Sequence, residues 1–106
     1  MIIHSHWKPK GPSEFVKDSE GLEYEIATFE GGKRRIDPLR PTSLVGPMGT
    51  EVRSSVFLRG GLVQFTVTTT AQLPHMQATF DAVRQEARRR ILDGDWQANN
   101  HYELEP

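Results

Sequence analysis

Residues 56–70 read VFLRGGLVQFTVTTT, two β-rich runs on either side of the pair Gly60-Gly61. A tight turn between such arms needs positive φ, which glycine supplies without steric cost, so the stretch predicts a β-hairpin. A register follows from the turn. With Arg59 opposite Leu62, Leu58 faces Val63 and Val56 faces Phe65, and together with Val67 these side chains make one apolar face. The opposite face carries Ser55, Phe57, Gln64, Thr66 and Thr68 and is mostly polar. A hairpin with one apolar face has to bury it against another layer.

That layer is encoded just downstream, where the apolar period changes from two to about 3.6. Met76, Phe80, Val83, Ala87 and Ile91 form a stripe at helical spacing, with Pro74 suited to the first turn and Gly94 to a C-terminal cap. A helix of about twenty residues, roughly 30 Å long, is expected.

Upstream, LEYEIATFEGGKRRI at 22–36 alternates Leu22, Tyr24 and Ile26 with Glu23 and Glu25, and reads as a second hairpin turning at Gly31-Gly32. Adjacent Arg34 and Arg35 make its return arm short or an edge. IIHSHW adds a strand before Pro9 and Pro12, and SEFVKDSE at 13–20 reads as a turn of helix capped by Ser13. Residues 95–106 are a polar tail that runs back over the domain or frays. The whole is one α+β domain over 1–106: an antiparallel sheet of four to five strands, with two Gly-Gly hairpins, packed on one face by a single long C-terminal helix. One helix covers only part of such a sheet. Phe29, Phe57 and Leu62 fall on the other face, so a homodimer burying it is expected.

Charge and composition narrow the function. Thirteen Lys and Arg stand against fourteen Asp and Glu, so nucleic-acid binding has to rest on a local patch, and the lack of cysteine removes disulfides, thiolate nucleophiles and Cys-ligated zinc. The start, MIIHSHWKPKG, lacks the apolar core of a signal peptide and no window is apolar enough to span a bilayer. A soluble, cytoplasmic protein with no membrane partner is expected. No G-x-S-x-G, P-loop or G-x-G-x-x-G occurs, so an enzyme is not favoured and no cofactor is expected.

Three stretches carry candidate sites. The first is DPLRPTSLVGPMGTE at 37–51, uncharged from Pro41 to Thr50. It reads as a long loop between strands, and Leu39, Leu44, Val45 and Met48 on a proline-stiffened backbone suit binding a protein partner. The second is the run of Arg88, Arg89 and Arg90 with Arg84 one turn before. Taking Phe80 as zero, these four project near about 80°, 180°, 280° and 40°, fanned round the helix, and Asp81 and Glu86 stand at the spacing that neutralises Arg84 and Arg90. A solvated helix face explains the run. Nucleic-acid binding through Lys33, Arg34, Arg35, Arg84, Arg88 and Arg89 is the alternative, and it gains only if the two basic groups fold side by side. The third is His4 and His6, which share a strand face and would offer two metal ligands, with His75, His101 or a carboxylate needed as a third. Together these readings favour a small non-enzymatic protein-interaction module of the inhibitor, immunity or accessory-factor type, acting as a homodimer and on another protein. Nucleic-acid binding and a small-molecule or metal site are the alternatives.

Overall fold

The computed structural model describes residues 2–4, 7–37, 40–45, 50–71 and 75–104, with backbone alone for 2–4, 32–37, 40–45, 50, 70 and 71. Eight strands and one helix follow in order: β1 (Ile2–His4), β2 (Lys8–Pro9), β3 (Glu14–Lys17), β4 (Glu23–Asp37), β5 (Arg40–Val45), β6 (Thr50–Leu58), β7 (Val63–Ala71), α1 (Met76–Asp93) and β8 (Asn100–Glu103). The fold is α+β: a mostly antiparallel sheet packed against the C-terminal helix.

The sheet is organised by one long strand. β4 pairs along one side with β3, β2 and β1 in turn, so these three short strands line up as the segments of one broken strand. Its other side pairs with β6 and then, beyond Gly32, with β5. β7 pairs antiparallel with β6, and β8 lies parallel to β7 at the far edge. At about 3.3 Å per residue the fifteen residues of β4 span about 50 Å, against about 27 Å for the eighteen-residue helix. The helix touches β3, β4, β6 and β7 but not β1 or β5, so the far end of β4 and its two partners extend beyond the covered body. That extension accounts for a radius of gyration of 15.3 Å, where a compact chain of this length has about 13 Å.

The core is the helix stripe on the sheet's apolar face. Phe80, Val83, Ala87 and Ile91 are buried against Tyr24 and Ile26 of β4, Val52 and Val56 of β6, and Phe65 and Val67 of β7. Burying each of the larger side chains contributes roughly 1.5–3 kcal/mol. Gly94 ends the helix at φ 68°, its N–H on the Ile91 carbonyl and that of Asp95 on Arg90. A polar seam crosses the same face, where Thr28 and Ser54 share a hydrogen bond at 3.2 Å.

Four sequence expectations are corrected. Gly31-Gly32 is no turn: both residues lie inside β4, opposite Glu51 and Thr50, so only Gly60-Gly61 makes a Gly-Gly hairpin. Within that hairpin Val56 faces Phe65 as expected, but a register shift after Val56 sets Phe57, not Leu58, opposite Val63. SEFVKDSE is not helical. Its Glu14–Lys17 segment is β3, because Val16 packs on the core from a strand that pairs with β4. Residues 37–51 are not an open loop, since Arg40–Val45 forms β5, hydrogen-bonded to β4. Pro41 is tolerated there because β5 pairs on one side only among the described residues. The C-terminal stretch runs back over the domain as β8, with Trp96 stacked on Phe65 at 5.1 Å and Tyr102 edge-on to the same ring.

Candidate functional site on the uncovered sheet face

Side chains alternate across a strand, so the residues between the core positions emerge on the face opposite the helix. On β3 this is Phe15, half exposed at 50%; on β4, Glu25, Ala27 and Phe29; on β6, Arg53, Ser55 and Phe57; on β7, Thr66 and Thr68. Phe15 and Phe57 flank Glu25 from the two neighbouring strands, and Phe29 lies opposite Arg53. Trp7 lies over Gly31 on this same face: a Cβ there would come within 2.9 Å of the indole ring. The missing side chain is therefore the seat of the tryptophan.

Cations roof the rings. Arg53 stacks on Trp7 at 4.2 Å from the ring centroid and lies 3.7 Å from Glu51, while Arg59 sits 5.1 Å from the Phe15 centroid and bonds both carboxylate oxygens of Glu23 at 3.0 Å. At the β8 edge, His101 lies between two hydroxyls, its Nδ1 2.5 Å from Thr66 and its Nε2 3.0 Å from Thr68. Either tautomer fits, because each hydroxyl donates or accepts. The face thus combines aromatic area with both signs of charge.

The helix arginines are committed elsewhere. Arg84 donates from Nε to the Thr28 hydroxyl at 3.0 Å and from Nη2 to the Lys10 carbonyl at 3.4 Å, which ties the helix to the polar seam and to the link between β2 and β3. Arg88 is ion-paired with Glu14. Arg89 bonds Glu86, Asp93 and Asp95, and the Glu86 bond, followed by that to Asp95, holds its pKa above the ordinary arginine value. Arg90 stacks 3.8 Å over Tyr102 and donates to the Asp95 carbonyl, while its Nε lies 3.1 Å from Glu86 at an angle that makes the contact an ion pair only.

Lys33, Arg34 and Arg35 lie on the far part of β4 between β1 and β5. Arg84 is anchored at Thr28, five residues back, which is about 17 Å along the strand. The two basic groups are not brought side by side. Leu44 and Val45 are on β5, opposite Ile36 and Arg35, whereas Leu39 and Met48 lie outside the described residues. His4 is on β1 opposite Lys33, and His6 lies outside the described residues. Among the described residues no three His, Cys, Asp or Glu side chains are grouped to hold a metal ion, and no helix is long and apolar enough to cross a membrane.

Sequence reasoning placed Phe29 and Phe57 on this face but missed Trp7, Phe15, Arg53 and Arg59. The signal for Phe15 was the adjacent pair Phe15-Val16 between charged neighbours, which suits a strand apolar on both faces. Comparison of the chain with family models, curated proteins and solved structures finds no match in any of the three.

Proposed function

We propose that the chain is a small protein-interaction module of the inhibitor, immunity or accessory-factor type, working as a homodimer through the uncovered sheet face. The observation that carries the reading is the set of aromatic residues Trp7, Phe15, Phe29 and Phe57 on a face that the helix does not cover. Aromatic residues and arginine are the types enriched at interface cores. Size supports the reading too. Five strand positions at about 4.8 Å and nine residues at about 3.3 Å give a face of about 700 Å², near the roughly 800 Å² per partner of a standard interface. Arg53 and Arg59 share the face with Glu23, Glu25 and Glu51, so a twofold axis can set cation against carboxylate on both sides. The non-enzymatic part of the reading rests on the sequence, which holds no nucleophile motif. The alternative, nucleic-acid binding, keeps Lys33, Arg34 and Arg35 but finds Arg88 and Arg89 ion-paired with carboxylates and Arg84 bonded to Thr28 and Lys10.

Sedimentation equilibrium tests the dimer. The wild-type chain should sediment at twice its 12.0 kDa mass at tens of micromolar, and Phe15→Glu should return the monomer mass with an unchanged circular-dichroism spectrum. Phe15 is suited to this because half of it is exposed, so the charge does not enter the core. A monomeric wild type, or a Phe15→Glu dimer as tight as the parent, overturns the homodimer.

A further inference from the structure

A second surface lies on the helix side of the sheet, at the end where α1 stops and β3 turns into β4. It is a cleft of about 340 Å³ with Tyr24, Ile91 and Trp96 at its base. Trp96 meets Tyr24 edge-on at 5.9 Å, so the two rings form an angled wall. Leu22, from the turn before β4, and Leu92, from the last turn of α1, also line it and are 47% and 51% exposed, where an isolated domain gains nothing from presenting leucine. The rest of the lining is Asp18, Ser19, Glu20, Asp93 and Gly94, three of them carboxylates and none a cation.

Several features set the potential of this cleft, and they act in one direction. Asp18 is fixed: Oδ1 accepts the backbone N–H groups of Glu20 and Leu22 at 2.9 Å, and Oδ2 accepts the Tyr24 hydroxyl at 3.2 Å. The carboxylate cannot rotate away. α1 ends here as well, and a helix C-terminus carries about half a negative charge. Asp93 belongs to a cluster in which Arg89 and Arg90, two cations, are shared among the three carboxylates Glu86, Asp93 and Asp95, so the pairing still leaves one net negative charge behind. Tyr24 responds to the same field. Burial first, then the bond to Asp18 and the charges of Asp18 and Glu20, raise its pKa above the ordinary tyrosine value.

We infer that this cleft is a docking site for a basic side chain, arginine or lysine, flanked by an apolar residue on a partner polypeptide. The two leucines would take the neighbouring residue and the methylene stem, and the carboxylates and ring faces the charged head. A bare metal ion fits less well, because apolar side chains make up much of the wall and no three ligating groups converge among the described residues. At about 340 Å³ the cleft is at the small end of ligand pockets, the size of a side chain and its neighbour. It lies across the sheet from the aromatic face, so the site can be tested separately from the dimer.

The test is a ¹H–¹⁵N titration of the full chain with an acetylated tripeptide amide carrying arginine between two leucines, beside the same peptide with glutamate at the centre. The arginine peptide should shift the amides of Leu22 and Gly94 and the Trp96 indole, and the glutamate peptide should not. Glu20→Gln with Asp93→Asn should weaken binding about fivefold, as expected for two partly screened charges. Asp18 is left intact because it holds the turn. Equal shifts from both peptides, shifts confined to other residues, no shift at all, or an unweakened double variant would each overturn the site. A chain that dimerises and yet fails this titration loses the cleft and keeps the sheet-face reading.

Discussion

Two Gly-Gly pairs occur in this chain, and they do opposite things. Gly60-Gly61 reverses the chain between β6 and β7, with Gly60 at φ 74° and the Gly61 N–H on the Leu58 carbonyl at 2.6 Å. Gly31-Gly32 stays in register inside the longest strand, where neither residue adopts positive φ. Both pairs follow a run of alternating residues, and the one local difference is the charged Lys33-Arg34-Arg35 after Gly31-Gly32, which weakens a return arm without excluding a turn. What separates them is Trp7, more than twenty residues earlier in the chain, whose ring fills the space above Gly31. One glycine is used for the conformation it permits and the other for the room it leaves. A large ring covering a strand glycine also restores apolar contact that the glycine cannot make itself.

The sharpest way to break this comparison is Gly31→Ala. A Cβ there would lie 2.9 to 3.1 Å from three atoms of the Trp7 ring, the nearest of them closer than real Cβ atoms come. Overpacking of this kind typically costs 1–3 kcal/mol, offset by roughly 0.5–1 kcal/mol because alanine loses less entropy than glycine on entering a strand. A net loss of about 1–2 kcal/mol is expected, or a fall in Tm of about 5–10 °C for a domain of this size. The second arm of the cycle carries the argument. With Trp7→Ala already in place, Gly31→Ala should be neutral or stabilising by about 0.5 kcal/mol. If thermal melts show the same loss in both backgrounds, Gly31 is glycine for its backbone, and the distinction between the two pairs fails.

That dependence on a distant partner marks where the sequence was legible. The helix stripe from Met76 to Ile91, its Gly94 cap and the Gly60 turn were readable because each is decided within a few positions. β3 was misread for a related reason: Ser13 resembles a helix cap locally, yet its hydroxyl bonds Glu25, and Val16 enters a core that only the paired strand reaches. β5 was misread because Pro38, Pro41 and Pro47 suggest a loop, and an edge strand tolerates a proline that a central one does not. In the sequence Arg84 reads as part of the solvated arginine run, with Asp81 as its local partner. Its partner Thr28 lies 56 positions away on another strand, and no local pattern records that bond. The aromatic face was half legible: strand alternation placed Phe57 there, but Phe15 and Trp7 join it only once the first strand is laid beside β4.

A milder test lies at the other pair, where Gly60→Ala should cost about 1 kcal/mol. The reason differs from that at Gly31. Nothing lies within 4 Å of an added Cβ, so the loss is the cost of holding an L side chain at φ 74°, roughly 1–2 kcal/mol, less the entropy alanine regains. Neither Trp7→Ala nor any neighbour should rescue it, because no clash is relieved.

Gly60→Asn separates conformation from space most finely and carries the smallest expected effect. Asparagine is larger than alanine, so a steric limit at Gly60 would make it the worse substitution. It also enters the left-handed region several times more readily than most residues, so a conformational limit makes it the better one. Open surroundings and a φ of 74° place Gly60 in the second case, and Gly60→Asn should lose no more than about 0.5 kcal/mol, half the alanine effect. Urea melts of the two variants under one set of conditions decide the order. Asparagine above alanine makes the turn a conformational site, unlike Gly31. The reverse order would mean that space governs both glycine pairs and that the turn residues pack against something at the hairpin tip, beside Leu62, which is 85% exposed in the single chain.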